Sequence, residues 1–361
     1  MTFKGKINLN NIFLPERDKE LIVIAGPCSA ETETQVLETA REIKSIGKVD
    51  IFRAGIWKPR TNPGTFEGVG KEGLKWLRKV KDETGLLTAV EVATPQHVEE
   101  IFKCESCVDI VWIGARTSSN PFSVQEIANS LKGTDIPVMI KNPINPEVKL
   151  WAGAIERILK SGIENVAAVH RGFYPFEKSN LRNIPKWELV FELKSMFPEI
   201  PVINDPSHIA GKRSLIKEIS QKALNLNFDG LMIETHISPD TALSDAKQQI
   251  TPEELEKLLD ELTYPKAQSD NKEFIDLLEQ FRERIDAIDF QMLELMSGRM
   301  KIIEQIGKYK KENNVTIFQL KRWLDIMLTR EDFGKKMGLD KKFVIKLLQL
   351  VHRESVRKQS E

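Results

Sequence analysis

Cys28, His208, Glu234 and Asp245 offer a thiol, an imidazole and two carboxylates, a mixed soft and hard donor set suited to a divalent transition metal. Their surroundings give the set its meaning. An apolar run at 201–203 ends in Asn204-Asp205-Pro206-Ser207-His208, and a second at 231–233 ends in Glu234-Thr235-His236. Far upstream the run 21–25 ends in Gly26-Pro27-Cys28-Ser29, and Asp245 follows Glu234 within LSDAKQQ. Read singly, Cys28 is a small buried residue and Asp245 a helix cap. Read together, at or near the carboxyl ends of apolar runs, they point to one metal site.

Cations crowd the same ends. Arg53 follows the second run, with WKPRT (Lys58, Arg60, Thr61) after it. Arg116 stands past the fourth run, Lys141 at the fifth and Arg171 at the sixth. So many positive charges on one rim repel each other unless anions sit among them. Arg suits bidentate phosphate or carboxylate binding and Lys acts as a point charge. The rim therefore reads as a site for two phosphorylated or carboxylated substrates beside a metal. A further set lies near the C-terminus, where Arg282, Arg299, Lys310 and Arg322 fall on or beside apolar helical faces. The first three are spaced near whole numbers of helical turns and share one side.

The elements that must carry these groups follow from a repeat. Eight brief apolar runs, at 21–25, 50–52, 87–92, 109–113, 137–140, 166–169, 201–203 and 230–233, each precede an amphipathic stretch. Their separation of about 23 to 36 residues is the interval of a βα unit, and eight such units predict a (β/α)8 TIM barrel. A doubly wound sheet would show a glycine-rich first turn, and no G-x-G-x-x-G occurs. From residue 272 the pattern becomes purely helical. Phe274, Leu277, Leu278, Phe281, Ile285, Ile288 and Met292 recur at three- and four-residue spacing and predict a helix of about 40 residues, roughly 60 Å long. Two shorter helices, near 318–333 and 341–358, are too short to cover its apolar stripe, so a second copy of the chain is expected there. The domains are thus read as a barrel over 1–262, a proline- and polar-containing linker over 263–271, and an all-helical domain over 272–361.

These residues carry a resemblance. GPCS, FRAG followed by KPRT, GAR, HRG, DPSH followed by GKR, IETH and LSDAKQQ stand in the order found in 3-deoxy-D-arabino-heptulosonate 7-phosphate (DAHP) synthases. The chain most resembles the short-barrel subfamily, related to the 3-deoxy-octulosonate 8-phosphate synthases, and KPRT favours the heptulosonate branch. The resemblance covers about residues 15 to 260. It implies condensation of phosphoenolpyruvate with erythrose 4-phosphate, the entry to aromatic amino-acid biosynthesis. It also implies a metal held by Cys28, His208, Glu234 and Asp245, with Mn2+ first and Co2+, Zn2+ or Fe2+ as alternatives. Arg53, Lys58, Arg116, Lys141 and Arg171 would cradle phosphoenolpyruvate, with Lys58 as proton donor. Arg60 and Thr61 would bind the phosphate of erythrose 4-phosphate, and Asp205 would lie near its hydroxyls. One departure is Asn142-Pro143, where the family often has Arg-Gly after the lysine.

The tail resembles the all-helical chorismate mutases through FRERIDAID, the Arg299 region, IGKYK and the closing ES-V-x-x-Q. That likeness implies a pocket lined by Arg299, Lys310, Arg322, Ser355 and Gln359, with Arg282 supplied by a second subunit. Chorismate would rearrange to prephenate there, Lys310 and Gln359 serving the ether oxygen and the arginines the two carboxylates. Gln319 and Trp323 stand where that family commonly has Asp and Glu. The alternative makes the tail a non-catalytic dimerisation and sensing module. In either case the expected assembly is a homodimer through the helical domain, or a tetramer, with feedback control by prephenate.

Composition bounds the rest. With 361 residues, 53 Lys+Arg and 53 Asp+Glu, the chain has no net charge to draw it to nucleic acid. No apolar run reaches membrane-span length, and the first 20 residues lack a signal-peptide core. Three cysteines, an odd number, point to a reducing cytoplasm rather than a disulfide scaffold. Cys104 and Cys107 read as incidental C-x-x-C spacing near a helix end.

Overall fold

The eight apolar runs become eight parallel strands: β1 (Ile22–Gly26), β2 (Ile51–Arg53), β3 (Leu87–Val92), β4 (Ile110–Ile113), β5 (Val138–Lys141), β6 (Val166–His170), β7 (Val202–Asn204) and β8 (Gly230–Glu234). In the computed structural model, which describes Phe13 and residues 21–59, 64–176, 178–266 and 268–360, they close in sequence order into one barrel. β1 completes the ring by pairing with β8, which sets Gly26 opposite Glu234.

The helices wrapping the barrel are α1 (Glu33–Ile46), α2 (Glu72–Thr84), α3 (Pro95–Lys103), α4 (Ala115–Ser118), α5 (Pro121–Leu131), α6 (Val148–Lys160), α7 (Trp187–Met196), α8 (Pro206–Ala210), α9 (Ile216–Asn225) and α10 (Pro252–Glu261). Their starts are written locally. The Thr32 side chain accepts from the Gln35 amide at the head of α1, and Thr251 forms a capping box with Glu254 at the head of α10. Strand residues alternate between two cores. One set, including Ile24, Ile51, Trp112, Met139, Val169 and Met232, fills the barrel interior and is joined by buried Phe13. The other packs the outer strand faces against the apolar stripes of the helices.

The chain divides into two compact units, residues 1–267 and 268–361. The second consists of α11 (Lys272–Glu312), α12 (Leu320–Lys336) and α13 (Lys341–Ser360). Asn271 caps α11 through the Phe274 amide. Much of the apolar stripe on α11 is uncovered in the single chain: Phe274, Phe281, Ile285, Ile288, Met292 and Leu295 are all exposed. No helix of the described residues is long and apolar enough to cross a membrane.

One expectation is corrected. Cys104 and Cys107 are joined in a disulfide rather than merely spaced by chance. α3 ends at Lys103, and Ser106 takes a left-handed conformation (φ 59°), which turns the chain back and brings the two Cα atoms to 5.7 Å. Cys28 remains a free, buried thiol.

Candidate active site

At the carboxyl end of the barrel the groups from β1, α8, β8 and the loop after β8 converge. Ligand atoms of Cys28, Glu234 and Asp245 lie within 4.8 Å of one another. His208 joins them from α8, its Nε2 3.8 Å from Glu234 Oε1 and 3.9 Å from Asp245 Oδ2. The backbone is shaped for this approach. Gly26 has φ 143°, and a Cβ there would stand 2.1 Å from the Arg53 carbonyl oxygen, so only glycine lets β1 pass close enough to β2 before Cys28. The Gln249 side chain then accepts from the Cys28 amide.

Charge is arranged around the cluster. Burial pushes the Cys28 thiol up to about 12, assisted by the Glu234 charge. Burial also lowers His208, which keeps its ring neutral with a lone pair to offer, while its Nδ1 lies 2.8 Å from Asp205 Oδ2. Burial opposes ionisation of Asp245, but the surrounding positive charge, with the Arg182 guanidinium 3.0 Å away, outweighs it and holds the carboxyl well below its usual range. Glu234 Oε1 decides whether this place suits a cation. It is buried, has no hydrogen-bond partner among the described residues, and lies 3.3 Å from Arg53 Nη2. A buried carboxylate oxygen left in that state is costly. A divalent ion among these four donors would satisfy it, so the residues fit a metal.

Beside the cluster stands a row of buried cations. Arg53, on β2, lies over the Trp112 ring at 5.0 Å, and its Nε and Nη1 are buried without hydrogen-bond partners among the described residues. Lys141, on β5, pairs with Asp205 at 2.7 Å; burial lowers its pKa against the pull of that carboxylate. Arg171 donates to Asn183 at 2.9 Å, and burial lowers it to about 10. Lys58 donates to the Cys28 carbonyl at 2.8 Å and lies 3.2 Å from its sulfur. Burial would lower Lys58, but the adjoining Cys28 sulfur and the Glu91 carboxylate outweigh it and raise it. Two unpaired guanidinium donors with two ammonium groups nearby can hold a small anion with several oxygens.

In the helical unit, Arg299 of α11 donates to the Ser355 hydroxyl of α13 at 2.6 Å, and the Gln359 side chain donates to the Ser355 carbonyl at 3.1 Å. Gln359 Oε1 is buried and unpartnered among the described residues. Gly307, Lys310, Ile317 and Gln359 line a cavity of about 750 Å³, where Lys310 donates to the Ile317 carbonyl.

Two family models match the chain. A family model described as DAHP synthetase I family matches residues 6–268, and one described as chorismate mutase type II matches residues 281–360. The chain belongs to the DAHP synthetase I family. Its C-terminal region is a type II chorismate mutase domain. Phospho-2-dehydro-3-deoxyheptonate aldolase of Thermotoga maritima is 32% identical over 240 residues, 66% of this chain and 68% of the relative. A 2-dehydro-3-deoxyphosphooctonate aldolase of Desulfatibacillum aliphaticivorans is 30% identical over 264 residues, 67% and 90% of the two chains. The crystal structure of the Thermotoga maritima DAHP synthase aligns with a TM-score of 0.60 at 30% identity, covering 67% of each chain.

The residues read from the sequence separate into groups. Cys28, Arg53, Lys58, Lys141, Asp205, His208, Glu234 and Asp245 form one connected cluster. Arg171 is buried at the adjoining strand end, while Arg116 is exposed on α4. Arg60 and Thr61 lie outside the described residues. In the helical unit Arg299, Lys310, Ser355 and Gln359 share the α11–α13 side. Arg282 and Arg322 are exposed and paired with Glu279 and Asp325 on their own helices.

Three contributors were not singled out from sequence. Arg182 pairs with Asp245 at 3.0 Å and donates to Gln248, whose amide in turn donates to Glu234 Oε2 at 2.5 Å. Arg182 and Gln248 thereby link two of the metal-type carboxylates. Asn142 accepts from the Arg171 amide at 2.7 Å and donates to the Gly172 carbonyl at 2.8 Å, tying the ends of β5 and β6 together. A polar residue after Lys141 was visible in the sequence. The loop contacts of Arg182 and Gln248 had no local signal.

Proposed function

We propose that this DAHP synthetase condenses phosphoenolpyruvate with erythrose 4-phosphate at the barrel mouth and rearranges chorismate to prephenate in its helical unit. The observation that carries the first reading is Arg53: buried, with two unpartnered donors, it stands beside four converging metal-type ligands. Its guanidinium, with Lys141 and Arg171, binds the phosphate and carboxylate oxygens of phosphoenolpyruvate, and Arg116 reaches the same anion. Arg60 and Thr61 are assigned to the phosphate of the aldose, and Asp205 to its hydroxyls. A divalent ion held by Cys28, His208, Glu234 and Asp245 supplies Lewis-acid polarisation of the aldehyde carbonyl when bound. Lys58, raised by its anionic neighbours, is protonated at neutral pH and can give a proton to the oxygen that gains charge as the new carbon–carbon bond forms. Water then adds at carbon 2 of the former phosphoenolpyruvate, the bond from that carbon to the phosphate oxygen breaks, and Lys141 and Arg171 stabilise the departing phosphate.

In the helical unit the cations hold the two carboxylates of chorismate in the reactive conformer, and Lys310 and Gln359 donate to the ether oxygen as its bond breaks. Arg282 comes from a second copy, whose long helix covers the exposed stripe of α11. The chain then works as a homodimer in the cytoplasm, with prephenate as its feedback signal.

One set of assays on the full chain tests both readings. Chelation should abolish the synthase rate, and Mn2+ should restore it; full activity in excess chelator removes the metal assignment. Arg299→Ala should lower chorismate rearrangement at least a hundredfold and leave the synthase rate unchanged. A wild-type chain that does not rearrange chorismate above the solution rate makes the helical unit a sensing module instead.

A further inference from the structure

His352 of the helical unit has no role among those assigned above. His352 stands three residues before Ser355 and seven before Gln359 on α13, so the three share one helix face. Its ring is stacked on Trp323 of α12, with centroids 4.1 Å apart and planes 25° apart, and Phe318 meets it at 5.8 Å nearly edge-on. Two aromatic side chains thus fix the plane of the imidazole without using its nitrogens. Those nitrogens have no hydrogen-bond partner among the described residues. Partial burial and the neighbouring Arg299 charge lower its pKa, so the ring is neutral at pH 7. A neutral imidazole offers one donor and one acceptor.

That pairing selects its partner. Chorismate presents two carboxylates, an ether oxygen and a ring hydroxyl. Cations match the carboxylates, and donors match the ether oxygen. The hydroxyl can give its hydrogen as well as accept one; a bare imidazole nitrogen can take that hydrogen, which the nearby cations, donors only, cannot. We propose that His352, held by Trp323 and Phe318, is a substrate-binding residue of the mutase site that hydrogen-bonds the ring hydroxyl of chorismate. The inference rests on the mutase reading above and extends it to substrate specificity, because a site built around a hydroxyl discriminates against an analogue that lacks it.

The test uses the full chain, with chorismate and an analogue lacking the ring hydroxyl as substrates. The wild type should prefer chorismate about tenfold in kcat/KM. His352→Phe keeps a ring against Trp323 and removes both nitrogens. It should raise KM for chorismate about tenfold, change kcat less than threefold, and leave the analogue unaffected, so that the preference disappears. His352→Gln, which restores a donor and an acceptor, should recover part of it. Trp323→Ala leaves the imidazole in place but frees it to rotate, and should raise KM for chorismate alone. A His352→Phe chain that keeps the wild-type preference overturns the inference while the mutase reading stands. A wild type that does not rearrange chorismate removes both.

Discussion

His170 sits in a box of Phe173, Trp187 and Phe228, all with centroids within 6.1 Å. Its Nε2 donates to the Pro185 carbonyl at 2.6 Å, and its Nδ1 accepts from the Asn204 amide group at 3.1 Å. A second proton would have to enter at Nδ1, against that donor. Burial accordingly lowers its pKa from 6.5 to about 4. The sign follows: between those values the unfolded chain binds a proton that the folded chain refuses, so stability rises with pH. The contribution is complete above pH 6.5 and is lost as pH falls to 4, by up to roughly 3 kcal/mol. Urea unfolding at pH 4.8 and 6.8 should show a smaller pH difference for His170→Asn than for wild type, and equal differences would show that His170 does not titrate this way. The same residue marks a limit of reading by type. His170 was visible as part of a strand-end HRG, but the aromatic box that keeps it neutral comes from positions 173, 187 and 228. Arg182 and Gln248 were hidden for the same reason, since their partners are 63 or more residues away or lie across the barrel mouth on β8.

Elements were more legible than contacts. Each of the eight β-branched runs became a strand with ends within one residue of expectation, because a buried parallel strand needs little beyond apolar continuity. The long helix was equally plain, its stripe sustained from Phe274 onward. The five-residue α8, which carries His208, was not anticipated; its start depends on Asp205 accepting from the His208 amide, with Pro206 at the first helical position. Close approach between elements is also invisible in a periodic pattern. Gly307 is the one buried residue of α11, and a Cβ there would lie 3.0 Å from the Gln359 Cα and 3.2 Å from its carbonyl oxygen. Because Gln359 is helical backbone rather than a flexible side-chain end, α13 must move to admit a methyl group. Gly307→Ala should therefore destabilise the helical unit by about 1–3 kcal/mol, despite alanine's better helix propensity. It should also lower mutase kcat through displacement of Gln359. Thermal unfolding followed by circular dichroism, with mutase kinetics on the same sample, checks it; a stabilised, fully active variant would show that the helices accommodate the change.

The whole molecule combines two family domains, and each compact unit carries the residues of its own proposed chemistry. Control of the barrel by the helical unit would act as a coupling of binding equilibria. If prephenate bound by the helical unit lowers the synthase rate, linkage requires the inhibited form to bind prephenate more tightly by the same free energy. A coupling of about 1–3 kcal/mol, or 5- to 150-fold in affinity, is ordinary for such systems. Physical separation of the units gives a direct test. Synthase rate measured against prephenate should fall severalfold for the full chain and stay constant for a chain ending at residue 266, provided the shortened chain keeps its uninhibited rate. Prephenate binding by calorimetry should tighten for the full chain when the barrel is held in its inhibited form, and weaken when phosphoenolpyruvate occupies the barrel. Equal inhibition of both chains would move the effector site onto the barrel, where the buried cations proposed for phosphoenolpyruvate would receive the carboxylates of prephenate. Absence of inhibition in the full chain would leave the two activities uncoupled by prephenate.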